Sequence, residues 1–237
     1  MKKFEYTYGT ALRAVMFAVN PLKKTFLKTY CTIHKFINIQ AIEILKNEGY
    51  TEQYDFFKDK IRNLNDGITW ADQDFKSSNH FYHFSKGKGL YGFSDALTEC
   101  QKYFNKATIF MKNGDMDKAM FFYGAACHLI QDATVPQHVN NKLLKSHRRF
   151  ELWIISKFMT DYSFVAEKGI IRYKSLDQYV KTNALMANNT FIKFYNIENR
   201  DERYWKISTA IIFEAERTTA GVLLDIYDIL KTNFSIA

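Results

Sequence analysis

A chain of 237 residues that is 47% hydrophobic and 16% aromatic is too apolar for disorder and long enough to bury one substantial core. Two prolines and ten glycines leave long uninterrupted stretches, which suit helices better than a turn-rich β fold. The formal charge of +8 would draw the chain toward anionic lipid or nucleic acid without choosing between them, and the cysteines Cys31, Cys100 and Cys127 form no C-x-x-C pair, which speaks against both a disulfide framework and a thiolate metal site.

Taken in order, the chain begins with two lysines, as a secretion signal would, but Glu5 and Arg13 interrupt the pattern, so a first helix or arm is expected over 1–27. The longest apolar runs, 11–19 and 152–156, fall far short of the roughly 20 residues a membrane span needs. From Tyr30 to Asn47 the helical period is clear: His34, Ile37, Ala41, Ile44 and Leu45 share one stripe, and Gly49 closes the helix. On that stripe alone His34 reads as a core residue. Glu52 to Asn65 predicts a second amphipathic helix with Tyr54, Phe57, Ile61 and Leu64 inward.

Residues 66–84, DGITWADQDFKSSNHFYHF, read as a loop dense in ligand-type side chains: Asp72, His80 and His83. Lys86-Gly-Lys-Gly89 lacks the G-x-x-x-x-G-K-[ST] pattern of a phosphate loop and is expected to be a turn. Ser94 can cap a helix running to about Lys112 and closed by Asn113-Gly114, after which Asp115 or Asp117 starts the next. Gly124, one turn before His128, would let another helix or a ligand approach. A helix through Phe158, a loop near Gly169, and helices over Leu176–Tyr195 and Tyr204–Leu230 complete the chain. No alternating strand pattern persists, so the expectation is one all-α domain.

The stretch from Phe121 to Glu151 concentrates the chemistry. It holds His128, Asp132, His138, His147 and Glu151, three of the chain's six histidines with two carboxylates. His128 and Asp132 are four residues apart, as are His147 and Glu151, so each pair would share a helix face and could grip one ion. Pro136 ends the first helix before His138. Helix, turn and helix would then aim imidazoles and carboxylates into one cavity. An all-nitrogen-and-oxygen set of this kind favours zinc among common ions, at about 2.0–2.2 Å.

These stretches resemble the bacterial zinc-dependent phospholipases C, a family that includes lipid-cleaving toxins of Gram-positive bacteria. GITWAD at 67–72 is similar to the family's aspartate-bearing segment, NHFYHF at 79–84 to its S/N-H-F-Y motif, FFYGAACHLIQDATVPQH to its F-Y-L-G-x-x-x-H-Y-x-x-D-x-x-x-P-x-H, and HRRFE to its H-x-x-x-E. ERTTAGVLLDIYD at 216–228 is similar to the closing helix, so the resemblance spans about 28–230.

It implies an all-helical fold around two or three zinc ions. Asp72, His80, His128 and Asp132 would hold one, and His138, His147 and Glu151 a second. His34 would join a third with Asp132 bridging, which turns His34 from a core residue into a ligand; His83 has no counterpart. In the family the third ion is completed by an N-terminal Trp, whereas the first Trp here is Trp70. The implied activity is hydrolysis of glycerophospholipid at a membrane surface to diacylglycerol and a phosphorylated headgroup, by attack of a zinc-activated hydroxide that Asp72 orients or deprotonates. Secretion is implied by the same likeness. The alternatives are a single-strand nuclease or nucleotidase with a similar metal fold, and a non-catalytic zinc-stabilised protein that binds membranes. Against the nuclease, its second pair ends in His-x-x-x-Asp where this chain has Glu151.

Overall fold

The computed structural model describes residues 31–90, 94–140, 145–158 and 164–234; of His147 it describes only the backbone. The expected arm over 1–27 lies outside them. The described elements are helix α1 over 31–47, α2 (Thr51–Ala71), a 3-10 turn (Asp74–Asn79), α3 (Ala96–Lys112), α4 (Met116–Asp132), the single turn α5 (Pro136–Val139), α6 (Lys145–Phe158), α7 (Leu176–Phe194) and α8 (Arg200–Phe234). Among the described residues there is no strand, and no helix is long and apolar enough to cross a membrane. The architecture is all-α.

Local chemistry sets most of the boundaries. Gly49, at φ +88°, takes the left-handed turn that ends α1, and the Tyr50 amide returns to the Leu45 carbonyl. Asp95 and Asp115 cap α3 and α4 by accepting the amides of Thr98 and Lys118. The cap of α3 is therefore Asp95 rather than the expected Ser94. Pro136 stands in the first turn of α5, where its missing N–H has no helical partner to lose.

α2 runs six residues past the expected Asn65, through Asp66-Gly67, to Ala71. Packing against α4 explains this. A Cβ on Gly67 would lie 1.8 Å from the Phe121 carbonyl oxygen, and one on Gly124 would lie 2.0 Å from the Leu64 carbonyl oxygen. The two helices thus cross antiparallel with their backbones touching at two glycines, and Gly124 serves a neighbouring helix rather than a ligand. Beside this crossing Trp70 packs edge-on against Tyr103 and Phe122.

The principal core joins α1, α2, α3, α4, α7 and α8 through Leu45, Phe57, Leu64, Met111, Met120, Leu129, Val180 and Leu223, all fully buried. A smaller apolar cluster, Ile37, Phe150, Ile154, Phe164, Ile207 and Ile211, seats α6 against α8 and the start of α1. Polar ties also link the helices: the Asn183 amide on α7 donates to the Ile130 carbonyl on α4 and to Thr218 on α8.

Candidate metal centre

The glycine crossing delivers the ends of α2 and α4 to the same place. α2 finishes with Asp72 as its C-cap, and α4 carries His128 and Asp132 one turn apart on its last two turns. The segment after the 3-10 turn brings His80 back beneath them. It is strapped to α5, the Tyr82 amide donating to the His138 carbonyl and the Phe84 amide to the Val139 carbonyl. His34 approaches from α1.

These side chains converge on Asp132. Its Oδ1 lies 3.4 Å from His34 Nε2, while its Oδ2 lies 2.8 Å from His80 Nδ1, 3.2 Å from His128 Nε2 and 3.8 Å from His138 Nδ1. The two oxygens therefore face different sides of the pocket. Two donor groups form around it: His34, His128 and Asp132, and Asp72, His80 and His128, each with its atoms within 4.8 Å of one another. His80, His128 and Asp132 are at most 3% exposed.

The imidazole nitrogens are already assigned by their second partners. His80 Nε2 lies 3.1 Å from the Ala71 carbonyl, which can only accept, so Nε2 carries the proton and Nδ1 turns its lone pair to the cluster. His138 Nδ1 likewise donates to the His80 carbonyl at 3.3 Å, and its ring stacks on Phe81. For His34 the determinant is Gln131. The Gln131 amide donates to Asn38 Oδ1 at 2.9 Å and Thr219 Oγ1 at 3.2 Å, so its carbonyl oxygen faces His34 Nδ1 at 2.9 Å and receives that proton. Asn38 in turn donates to Asn65. Imidazoles held by a second hydrogen bond, with the other nitrogen turned inward, are what metal ligation requires.

The electrostatics fit a cation. Burial pushes His34 and His128 down, toward the neutral form that ligates metal. Burial opposes ionisation of Asp132, but the pull of His128 and His138 outweighs it and holds that carboxyl well below the usual carboxylate range. Burial raises Asp72. Yet Asp132 Oδ2 and His128 Nδ1 are buried without an aligned hydrogen-bond partner, the close imidazoles lying off the required line. An anionic oxygen surrounded by buried imidazole nitrogens fits a divalent ion.

Of the expected set, His34, Asp72, His80, His128 and Asp132 are brought together and His138 stands at their edge. Glu151 is half-buried on α6. The side chain of His147 is outside the described residues. His83, without a role in the resemblance, accepts the Ser85 amide at 3.3 Å and stacks on Phe84 in a turn. One neighbour did not follow from the sequence: the thiol of Cys31, on α1, donates to Asp72 Oδ2 at 3.6 Å.

An all-helical bundle whose helix ends gather histidines and aspartates into adjoining donor groups defines a class of metal-dependent proteins. The family model described as zinc-dependent phospholipase C matches residues 33–204, and the chain belongs to that family. Its fold is similar to the alpha-toxin of Clostridium absonum (TM-score 0.70) and to that of an avian strain of Clostridium perfringens (TM-score 0.69), each at 17% identity over 86% of this chain and 64% of the toxin. The chain thus spans about two-thirds of the length of those toxins. No curated protein matches it.

Proposed function

We propose that this chain is a zinc-dependent phosphodiester hydrolase that cleaves glycerophospholipids to diacylglycerol and a phosphorylated headgroup. The observation carrying this reading is the Asp132 carboxylate, whose two oxygens face His34 on one side and His80 and His128 on the other. A carboxylate shared in this way suits a pair of neighbouring ions. His34 and Asp132 would hold one, Asp72, His80 and His128 with Asp132 a second, and His138, His147 and Glu151 a further one. Zinc bound there supplies Lewis-acid polarisation of a phosphoryl oxygen and a water acidified to a pKa of roughly 7.

The chain's own groups do the rest. The Ala71 carbonyl and Gln131 keep the protons of His80 and His34 on their outer nitrogens, so the inner nitrogens of those two stay available. Asp72, half-buried at the tip of α2, takes the proton of the attacking water as its oxygen bonds to phosphorus. The phosphorus–oxygen bond to diacylglycerol breaks, and the departing alkoxide is protonated from solvent. Burial, which raises the Asp72 carboxyl, makes it a stronger base than a solvated aspartate.

The test is hydrolysis of glycerophospholipid vesicles by the zinc-loaded chain, scored by diacylglycerol release. Asp72→Asn is expected to lower turnover by about 10²–10⁴-fold with the helical circular dichroism unchanged. Loaded protein that leaves phospholipid intact but degrades single-stranded DNA, or hydrolyses neither, would overturn the assignment.

A further inference from the structure

One face of α7 leaves apolar side chains in solvent. Leu185 is 48% exposed and Ile192 64%. With the exposed Lys181 they stand at i, i+4 and i+11, within about 40° of one another around the helix. Tyr195, 59% exposed, continues the row one turn beyond Ile192. Apolar residues scattered singly on a surface need no account, but these line up over about 15 Å of one helix. The cations at this end are exposed as well. Lys86 and Lys88, in the turn after His83, and Lys193 on α7 have no carboxylate partner among the described residues, while Lys181 pairs with Asp177 at 2.9 Å.

Between that turn and α7 lies a cleft of about 640 Å³, lined by Tyr82, Phe84, Lys86, Lys181 and Leu185 among others. Tyr82 is 4% exposed, yet its hydroxyl has no hydrogen-bond partner among the described residues. A buried hydroxyl facing a cleft flanked by two ammonium groups calls for an anionic acceptor. Asp95, also on the lining, is taken up by its own helix, where it accepts the Thr98 amide at 3.0 Å and the Thr98 hydroxyl at 2.9 Å. The cleft adjoins the metal centre along one strap. Tyr82 stands two residues after His80, and the Tyr82 and Phe84 amides donate to the His138 and Val139 carbonyls of α5, which packs on α7.

We propose that the outer face of α7 and the Lys86 turn form a docking surface for a bilayer containing anionic phospholipid, the cleft between them taking the phosphate of one headgroup. This rests on the lipid reading above and adds the surface by which the chain meets its substrate. Leu185, Ile192 and Tyr195 enter the boundary between headgroups and acyl chains, as the apolar face of an interfacial helix does. The Tyr82 hydroxyl donates to a phosphate oxygen, and Lys86 and Lys181 offset its charge. Lys88 and Lys193 meet the surrounding anionic headgroups. Unpaired cations on a chain of formal charge +8 complement an anionic partner. The apolar row suits acyl chains and not a nucleic-acid backbone.

The experiment mixes the zinc-loaded full chain with vesicles of phosphatidylcholine, with and without a third of phosphatidylglycerol. Binding is read within seconds by energy transfer from tryptophan to a dansyl lipid, before hydrolysis accumulates. Wild type is expected to bind the phosphatidylglycerol vesicles at least about tenfold more tightly, and to lose that preference near 1 M salt, where the Debye length is about 3 Å. Leu185→Ser and Ile192→Ser should each weaken binding about tenfold, and Lys86→Gln and Lys193→Gln about fivefold on the anionic vesicles alone. Tyr82→Phe should cost about tenfold there; should it fail to fold, the four exposed substitutions still decide. Ile109→Ser is the control: Ile109 is 60% exposed on α3, about 18 Å along that helix from Leu97 of the cleft, and should bind as the wild type does. Equal binding to both vesicles, or Leu185 and Ile192 variants that bind as the wild type does, would overturn the docking surface even if diacylglycerol is released. Binding with the expected pattern but without diacylglycerol release would instead overturn the proposed hydrolysis and keep the surface.

Discussion

Alanine at Gly124 would disturb the metal centre without touching any donor. Its Cβ would fall 2.0 Å from the Leu64 carbonyl oxygen and 2.7 Å from the carbonyl carbon, both rigid backbone. To reach ordinary van der Waals separation α2 and α4 must part by about 1.4 Å locally, and overpacking of this kind costs about 1–3 kcal/mol. For a domain of this size that lowers Tm by roughly 2–12 °C. The same parting moves Asp72 and His80, carried at and beyond the end of α2, from His128 and Asp132 on α4. Metal sites tolerate only about 0.5 Å of such error, so zinc affinity should fall with stability.

Thermal melts with and without zinc, alongside zinc titration, measure both effects. Gly114→Ala is the control: Gly114 has φ +79° with open space around its Cβ position, so it should lose about 1 kcal/mol to strain of a left-handed alanine and bind zinc normally. A Gly124→Ala chain that melts and titrates as the wild type does would refute the close crossing of α2 and α4.

Chelation should destabilise the fold: with zinc at about a thousand times its Kd, stripping it removes about 4 kcal/mol, and an unchanged melting curve would place the ions outside the fold. Gln131→Met keeps side-chain length but removes the acceptor for His34 and the donor to Asn38; a loss of about 1–3 kcal/mol and zinc binding weaker by about 10–100-fold are expected, with isothermal titration as the check. Glu216, fully buried, accepts the Ala166 amide at 2.7 Å, and burial pushes its carboxyl up to about 8. The native state therefore holds a proton that the unfolded chain releases above its ordinary carboxylate pKa, so stability should fall as pH rises from about 4.5 through about 8, by on the order of 5 kcal/mol. Urea melts across that range should show this loss in the wild type and not in Glu216→Gln; equal slopes would refute the buried proton.

Helix periodicity and the residue types of the donor set were legible in the sequence because both are local. His128 and Asp132 advertise themselves by sitting four apart on one helix, and the stripe through Ile37, Ala41 and Leu45 marks the inner face of α1. What stayed hidden depends on partners distant along the chain. Asp66-Gly67 looks like a helix end, yet Gly67 is wanted inside α2 because α4 lies against it. Cys31 pairs with no other cysteine, and only the folded chain puts Asp72, 41 residues away, beside its sulfur. Gln131 carries no charge and no motif, so nothing in its neighbours reveals that it sets the proton of His34. Ser94 and Asp95 are equivalent caps by composition, and the Thr98 amide alone distinguishes them.

The amide relay Asn65–Asn38–Gln131–His34 has direction. Each link gives with nitrogen and receives with oxygen, so reversing one carboxamide would reverse the demand on every neighbour. Helices α1, α2, α4 and α8 thereby write the tautomer of an imidazole before any ion arrives. Copying the eight candidate ligands onto another helical scaffold would transfer the addresses of the donors but not the polarity of that relay. A graft of this centre must carry the amides with it.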